Sequence, residues 1–386
     1  MTENSAKVVV QIVPSLESGG VERGVIDIAK ALKNNGFKPI VISAGGVLVF
    51  ELKEAKIEHI QLDVKSKNPL KIFKNIKILK EILTHYQVDI LHVRSRAPMW
   101  SAYWACKNTK TKLITTVHGT YSLNFLWWKI FPLKKFYNAI MLKSHAIIAV
   151  SDYIKNYIAQ NYGENFAKNT TVIHRGADLN HFNPAKTSNI RIIDLIKKWN
   201  LPEDKKIILM PGRFTAWKGH EFLIAALRLV KNDFFCVMLG SDHGHQKYRR
   251  KIEEKIIENN LADKIRIIGA TKEMSTAYQI AHFVVAPSVR PEAFGRIAIE
   301  SQASAKIIVT TNIGGALETV IDGQTGFLVK PHDVEGLALI IDKILEMPKD
   351  QADKIGKAGR QNIEENFSNN LMCQKTLDLY NLNLNL

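Results

Sequence analysis

The sequence predicts an α/β protein with two doubly wound domains in tandem. Short apolar runs alternate with amphipathic helical patterns, as in βαβ units built around parallel sheets. The second half repeats the plan of the first half, beginning with the apolar run KKIILMPGR at 205–213. The chain has 386 residues, and single hydrophobic cores stop growing at about 250–300 residues, so two domains are expected.

In the first half, the run KVVVQIVP at 7–14 predicts a buried strand. The pattern GGVERGVIDIAKALKNNG at 19–36 then predicts a helix that ends at Gly36, because glycine favours the position that follows a helix. Further strands are predicted by FKPIVISAGG, VDILHVRS, KLITTVHG and HAIIAVS.

In the second half, the helical pattern GHEFLIAALRLVK follows the first strand, and later strands are predicted by FFCVMLGS, IRIIGA, HFVVAPS and KIIVTT. The polar segment near 184–204 marks the domain boundary, which assigns 1–187 to the first domain and 188–365 to the second. A last helix is predicted within 366–386. Tandem doubly wound domains hold ligands in a cleft at the carboxyl ends of their strands, so the residues that follow each strand are the candidates for function.

The composition is that of a soluble globular protein, with 46% hydrophobic and 23% charged residues. The chain opens without a signal-peptide pattern, and no apolar run reaches the ~20 residues of a transmembrane helix. Cys106, Cys236 and Cys373 lie far apart and show no CxxC spacing. They are expected to be buried thiols in a reducing compartment, which predicts a cytoplasmic location.

The positive charge is concentrated in the first half. Of the net charge of +16, residues 1–190 carry +13, from 26 Lys and Arg against 13 Asp and Glu. Such asymmetry predicts an anionic partner for the first domain. A nucleic acid is disfavoured as that partner, because no nucleic-acid-binding module is recognisable.

Two glycines, Gly19 and Gly20, open the helix after the first strand. The free N–H groups and the dipole of a helix start favour an anion there, although a plain tight turn would need the same glycines. The spacing does not match GxGxxG, so a nicotinamide-dependent enzyme is disfavoured.

Two cations, Arg213 and Lys218, flank the turn in PGRFTAWKGH. Arginine acts as a fork and lysine as a point charge, and together they suit a diphosphate. A solvated basic loop is the alternative, although the apolar Phe214 and Trp217 make it less natural.

Two glutamates follow a later predicted strand in RPEAFGRIAIESQA. Glu292 lies in the loop, and Glu300 lies inside a helix that is expected to start near Gly295. The first amides, from Phe294 to Arg296, are expected to face a phosphate. Two carboxylates at this spacing suit hydroxyl groups of two sugars, although the spacing by itself is a weak signal.

Further polar and glycine-rich segments follow other predicted strands. His118 ends a strand in TTVHGTY, where it is either a ligand contact or, as is more common for a lone histidine, a satisfied core residue. NIGGALETV places Gly314 and Gly315 before another helix.

Taken in order, these motifs resemble the family-four glycosyltransferases, retaining enzymes of the GT-B fold. The resemblance covers almost the whole chain and includes VIHRGAD at 172–178. It implies two Rossmann-like domains facing a central cleft, with the last helix crossing back to the first domain. It also implies a nucleotide-sugar-dependent enzyme of the bacterial cell-envelope type.

The resemblance implies roles for the charged residues of the second domain. Arg213 and Lys218 would hold the diphosphate of the sugar donor. Glu292 would bond the hydroxyl groups of the transferred sugar, and Glu300 would bond the ribose. No metal ion or other cofactor is expected, because cations and helix amides would neutralise the leaving diphosphate.

The resemblance also implies that His118 lies near the anomeric carbon and that Gly20 lies near the phosphates. The sequence departs from the family at Arg175, since IHRGAD stands where IPNGVD is commoner. The resemblance assigns no role to this arginine.

The expected activity is therefore transfer of a sugar from a nucleotide-diphosphate sugar to a lipid-linked or lipopolysaccharide-type glycan. A nucleotide-sugar epimerase of the same fold and a non-enzymatic sugar-nucleotide-binding protein are the alternatives. The lysine-rich apolar segments at 68–86 and 125–137 suit an anionic lipid surface, which predicts peripheral attachment to the inner face of the plasma membrane. Ordinary helices with solvated lysines would explain the same segments.

Overall fold

The computed structural model describes residues 6–17, 19–120 and 133–385. The chain forms two compact units, one comprising Met1–Arg175 with Asn370–Leu386 and the other Gly176–Asn369. The first unit ends at Arg175, where the sequence predicts a boundary at 187. The C-terminal segment joins it from Asn370, where the sequence predicts a start at 366.

The first unit contains a seven-stranded sheet in the order β3-β2-β1-β4-β5-β6-β7, and every paired strand is parallel. The central strands are apolar and buried because helices cover both faces of a doubly wound sheet. The strands are β1 (Val8–Ile12), β2 (Lys38–Ser43), β3 (Glu58–Gln61), β4 (Ile90–Val93), β5 (Lys112–Val117), β6 (Ala146–Ala149) and β7 (Thr170–Val172).

The helix α1 (Gly20–Asn34) buries one apolar face against this sheet and ends before Gly36, whose φ of 78° confirms the predicted glycine stop. The other described helices of the unit are α2 (Val49–Glu54), α3 (Pro69–His85), α4 (Arg96–Cys106), α5 (Leu133–Ala139), α6 (Asp152–Tyr162) and α7 (Glu164–Lys168).

The second unit contains a six-stranded parallel sheet in the order β10-β9-β8-β11-β12-β13. Its strands are β8 (Ile207–Pro211), β9 (Phe235–Leu239), β10 (Ile265–Ile268), β11 (Phe283–Ala286), β12 (Ile307–Thr311) and β13 (Phe327–Val329). Two parallel sheets with flanking helices confirm the predicted fold class.

The helices of the second unit are α8 (Asn189–Trp199), α9 (His220–Leu227), α10 (Gln246–Glu258), α11 (Met274–Ile280), α12 (Arg296–Ala303), α13 (Ala316–Thr319), α14 (Val334–Glu346) and α15 (Lys349–Asn366). In both units the loops after the strands lie at one edge of the sheet, because all the strands run in the same direction.

The final helix, α16 (Asn369–Leu384), packs on the sheet of the first unit. Tyr380 is fully buried among Val9 and Ile90, and its hydroxyl lies 2.5 Å from Nδ1 of His92. Burial, with a smaller contribution from the nearby Arg94, holds the pKa of His92 well below its usual value. The helix is therefore held by both apolar and polar contacts.

All three cysteines are free thiols, and burial raises the pKa of Cys106 to about 12. Within the described ranges, no helix is both long enough and apolar enough to cross a bilayer. The predicted lipid-binding segment 125–137 lies mostly outside the described residues, since 121–132 are not described.

Candidate active site

The loop after β8 positions Lys218 through a tight turn. Gly219 has a φ of 82°, and a Cβ added there would lie 1.9 Å from the carbonyl oxygen of Pro287. Only glycine tolerates both this backbone conformation and this close approach. The turn therefore brings Lys218 against the loop that follows β11.

Lys218 and Glu292, predicted from separate motifs, form an ion pair. Lys218 Nζ lies 2.7 Å from Glu292 Oε1, and the two side chains are only 11% and 18% exposed. The ammonium group also lies 4.6 Å from the centre of the Trp217 ring. The hydroxyl of Ser288 donates a second hydrogen bond of 2.5 Å to the same carboxylate oxygen. The carboxylate is therefore held in one orientation before any ligand arrives.

The glycines of NIGGALETV support the loop that carries Glu292. The amide of Gly315 donates a 2.9 Å hydrogen bond to the Glu292 carbonyl. A Cβ added at Gly314 would lie 2.4 Å from the same carbonyl oxygen. The two loops thus pack backbone against backbone, which larger side chains would prevent.

The helix α12 begins one residue after the predicted start, with Gly295 as its N-cap at a φ of 81°. Among the described residues, the backbone N–H groups of Gly295 and Arg296 have no hydrogen-bond acceptor. Arg296 lies 2.5 Å from Glu300, and the buried Tyr278 hydroxyl donates a 3.2 Å hydrogen bond to the other oxygen of Glu300. The helix therefore presents backbone N–H groups without acceptors, which can bind an oxyanion. Beside them lies a second fixed carboxylate, which can accept a hydrogen bond from a hydroxyl group.

Arg213 differs from the other predicted cations in the same unit. Its side chain is exposed and makes no ion pair or hydrogen bond with the part of the chain that is described. Lys218 and Arg296 are already paired with carboxylates, whereas Arg213 and the exposed Arg290 of the loop after β11 have no such partner among the described residues. The sequence analysis named four of these charged residues for their charges and Arg296 only for its amide. It missed Ser288 and Tyr278, which orient the carboxylates.

The predicted anion site at Gly19 and Gly20 is approached by a carboxylate in this structure. Gly19 is the N-cap of α1, with no side-chain hydrogen bond at the helix start. A Cβ added at Gly19 would lie 2.1 Å from Oε2 of Glu22, so this carboxylate covers the helix start. A phosphate at this position would have to displace Glu22.

His118 follows β5 in the first unit, as predicted. Both ring nitrogens are buried and have no hydrogen-bond partner among the described residues. Burial, then the charges of Arg175 and Arg94, hold its pKa well below the usual value, so the ring is neutral near pH 7. A neutral imidazole without a partner is suited to exchange hydrogen bonds with a ligand.

Arg175 and Arg94 lie close together beside α1. A Cβ added at Gly24 would come 2.6 Å from Arg175 Nη1 and 3.9 Å from Arg94 Nη1. Arg94 is buried and donates a 2.7 Å hydrogen bond to Gln11. Sequence reasoning missed Arg94, although a charged residue directly after the apolar strand β4 was a usable signal. Two arginines therefore lie side by side at the carboxyl edge of this sheet.

Both halves of the chain match known protein families. Residues 18–181 match the family described as Glycosyltransferase Family 4, and residues 192–362 match the family described as Glycosyl transferases group 1. A capsular polysaccharide biosynthesis glycosyltransferase, CapM of Staphylococcus aureus, is 25% identical over 368 residues, which cover 93% of each chain.

Solved structures agree with these matches. A glycosyltransferase from Rickettsia africae is 41% identical and superimposes with a TM-score of 0.89 over 98% of this chain and 99% of that chain. Anabaena HepE in complex with UDP and glucose shares the fold, with a TM-score of 0.82 at 22% identity over 97% of this chain and 99% of that one. The chain therefore belongs to the family-four glycosyltransferases and is a transferase enzyme of the GT-B fold.

Proposed function

We propose that this enzyme is a retaining glycosyltransferase that moves a sugar from a nucleotide-diphosphate sugar to a lipid-linked or lipopolysaccharide-type glycan. The observation that carries the proposal is the ion pair between Lys218 and Glu292 at the strand ends of the second unit. Sugar transfer needs a cation for the leaving diphosphate and a fixed acceptor for sugar hydroxyl groups, and this pair offers both in one place.

The charges explain how a carboxylate can lie beside a diphosphate. Lys218 neutralises Glu292, so the pair does not repel an incoming anion. Arg213 and the free amides at the start of α12 then attract the diphosphate. As the bond to the anomeric carbon breaks, Lys218 and Arg213 stabilise the negative charge that develops on the leaving phosphate.

The remaining predicted residues bind and orient the substrates. Glu300, held by Arg296 and Tyr278, accepts hydrogen bonds from the ribose. The neutral ring of His118, whose nitrogens have no partner among the described residues, is a further group that can bond a substrate hydroxyl. Metal independence is part of the proposal, since two cations and helix amides do the work of a divalent ion; activity is expected to survive EDTA.

Names of similar proteins support the choice of substrates. HepE was crystallised with UDP-glucose, and WaaG, whose fold is similar with a TM-score of 0.75, is a glycosyltransferase involved in lipopolysaccharide biosynthesis. CapM belongs to capsular polysaccharide biosynthesis. These names favour a nucleotide-sugar donor and an acceptor of the cell envelope.

The test is a screen of uridine, guanosine and adenosine diphosphate sugars, with nucleotide release measured with and without lipid-linked glycans. We expect acceptor-dependent release and a product whose anomeric configuration, read by NMR, equals that of the sugar donor. An altered sugar formed without acceptor would identify an epimerase instead. Binding without release would leave a sugar-nucleotide-binding protein, and inversion would exclude the retaining mechanism.

The surface of α3 supports work at a membrane. Leu70 and Phe73 are 81% and 61% exposed, and they lie among exposed lysines at 71, 74 and 77. The apolar residues Leu79 and Leu83 of the same helix are buried in the core. The first half of the helix therefore presents apolar and cationic groups together, as interfacial helices do.

Sedimentation with vesicles tests this part of the proposal. Vesicles with 30% anionic lipid are expected to carry down the wild type at low salt, and Leu70→Ser with Phe73→Ser is expected to abolish this. The matched control is Leu339→Ser, which replaces a leucine that is 69% exposed on α14. Equal sedimentation of all three proteins, or none, would remove membrane attachment from the proposal.

A further inference from the structure

A cluster of unsatisfied polar groups lies in the first unit, between the start of α4 and α5. The rings of Trp100 and Tyr137 stack with their centres 5.5 Å apart and their planes 26° apart. Next to them, Asn138 is almost completely buried. Trp100 Nε1, Tyr137 Oη and Asn138 Nδ2 are all buried without a hydrogen-bond partner among the described residues.

Three such groups in one place require an explanation. A buried donor that lacks a partner loses its hydrogen bonds to water and gains nothing in return, so native proteins rarely keep one. Packing alone explains the aromatic rings but not their polar atoms, since phenylalanine would stack equally well. A ligand that accepts hydrogen bonds would supply the missing partners.

The surroundings determine the chemistry of that ligand. Arg96 Nη1 donates a 2.8 Å hydrogen bond to Asn138 Oδ1, so the group of Asn138 that still lacks a partner is its amide Nδ2. Burial raises the pKa of Tyr137, and the charge of Arg96 opposes this shift, so the guanidinium of Arg96 lies close enough to act on the cluster. The groups on offer are N–H and O–H donors beside a cation, and these select an anionic, oxygen-rich ligand.

The aromatic groups add a preference for a ring. Phe136, which is 62% exposed, lies 6.1 Å from Trp100 with its plane tilted by 50°. An exposed aromatic ring beside polar donors is typical of sites that hold small polar molecules with one apolar face, such as sugars. Trp100 also lies on α4, the helix that follows β4, and doubly wound domains bind ligands at the edge of the sheet where such helices begin.

We propose that Trp100, Tyr137 and Asn138 form a subsite for an anionic sugar of the acceptor, either a uronic-type acid or a phosphorylated sugar. The inference rests on the proposed function only in assigning this sugar to the acceptor. The shared chemistry is a sugar ring bearing a carboxylate or a phosphate, which accepts hydrogen bonds from the three unsatisfied donors. The net positive charge of the first half of the chain favours the same class of ligand.

Direct binding tests the subsite without any transfer reaction. Glucuronic acid, glucose 1-phosphate and glucose are titrated into the full-length protein in the absence of a nucleotide sugar, and saturation-transfer NMR measures binding. We expect at least one anionic sugar to bind, with glucose at least fivefold weaker. The stronger of the two anionic probes identifies carboxylate or phosphate recognition. Equal binding of glucose, or no binding of any probe, would overturn the proposal.

Two conservative variants separate ligand binding from packing. Tyr137→Phe and Trp100→Phe remove one unsatisfied donor each and keep an aromatic ring, and Tyr103→Phe on α4 is the matched control. We expect both variants to bind the preferred probe at least fivefold more weakly. Tyr137→Phe should melt at or above the wild-type temperature, whereas the smaller ring of Trp100→Phe should lower the melting temperature. Wild-type binding in both variants would overturn the proposal.

These experiments distinguish a failure of the subsite from a failure of the proposed function. If no nucleotide sugar is turned over but the anionic probes still bind through Tyr137 and Trp100, the subsite stands and the transfer reaction does not. If transfer occurs while Tyr137→Phe leaves both probe binding and the KM for the acceptor unchanged, the enzyme stands and the subsite does not.

Discussion

The two units differ in whether their functional side chains have partners. The comparison is between the loops after β8 and β11 and the residues after β4 and β5. In the second unit, Lys218 is paired with Glu292 and Arg296 is paired with Glu300. In the first unit, both ring nitrogens of His118 are buried without a partner among the described residues, as are three donors of the α4–α5 cluster. In the second unit the charged side chains pair with each other, whereas in the first unit polar groups remain without a partner and are available to a ligand.

This difference teaches where each site should be sensitive. Removing one partner of a fixed ion pair leaves the other charge buried without a counter-ion, so both stability and activity should fall. Removing a group that has no partner should leave stability unchanged or higher, and should lower only ligand binding or turnover. The following predictions use this contrast, from the largest expected effect to the smallest.

The largest effect is expected at Lys218. Lys218→Ala should lower kcat/KM by about 10³-fold, because it removes the cation nearest to Glu292 and the leaving phosphate. It should also lower the free energy of unfolding by roughly 2 kcal/mol, because Glu292 stays half-buried without its counter-ion. Kinetics and urea denaturation measure the two effects.

The double variant Lys218→Met with Glu292→Gln is the control. It should recover most of the stability, because no unpaired charge is left, while activity stays at the level of the single variant. Recovery of activity together with stability would mean that the pair is only structural and would remove the contrast between the two units.

A smaller effect, limited to activity, is expected at His118. His118→Gln should lower turnover by about 10²-fold with little change in melting temperature, because the ring has no partner to lose. Burial and two nearby arginines hold the pKa of His118 well below its usual value, so no step in turnover between pH 6 and 8 should be due to its titration. A marked loss of stability in this variant would show that His118 is a core residue rather than a ligand contact.

A still smaller effect is expected at the exposed Arg213. Arg213→Ala should raise the KM for the nucleotide sugar by about tenfold, because a single charge-assisted contact is lost. The salt dependence of KM should weaken in parallel, since this arginine carries a charge that no described carboxylate compensates. Arg213→Lys should restore part of the affinity. An unchanged KM in the alanine variant would assign the attraction to the helix amides alone.

The smallest effect on activity is expected at His220, whose titration changes the stability of the second unit at acid pH. Burial, followed by the charge of Lys218, lowers the pKa of His220 to about 4, against about 6.5 in the unfolded chain. Between these values the unfolded state binds more protons, so this histidine's contribution is complete above pH 6.5 and is lost as pH falls towards 4. At pH 5 the loss is about 2 kcal/mol.

His220→Leu should therefore flatten the fall in unfolding free energy between pH 7 and 5 by that amount. The matched control is His243→Leu, at an exposed position of the same unit, which should keep the wild-type dependence. If His220→Leu follows the wild-type curve, the acid sensitivity arises elsewhere, and His92 and His118 of the first unit would be the next candidates.

Much of the fold was predictable because its signals are local. The apolar runs at β1, β5, β8 and β12 are read directly from the sequence, and so is the glycine that ends α1. The short strands β3 and β7, with the sequences EHIQ and TTV, carry no such signal, and the apolar run FLV of β13 is only three residues long. They become strands because a neighbouring strand offers a hydrogen-bonding edge, which is a tertiary property.

The sequence by itself determined two parallel sheets and named the charged residues at their strand ends, because apolar periodicity and turn residues act over short distances. The tertiary structure alone decided which of those residues meet. Lys218 pairs with Glu292 across 74 residues, and Tyr380 reaches His92 across 288 residues. The aromatic cluster at Trp100 and Tyr137 also emerged only in three dimensions. Such contacts depend on how strands and helices pack, and no local pattern in the chain records that arrangement.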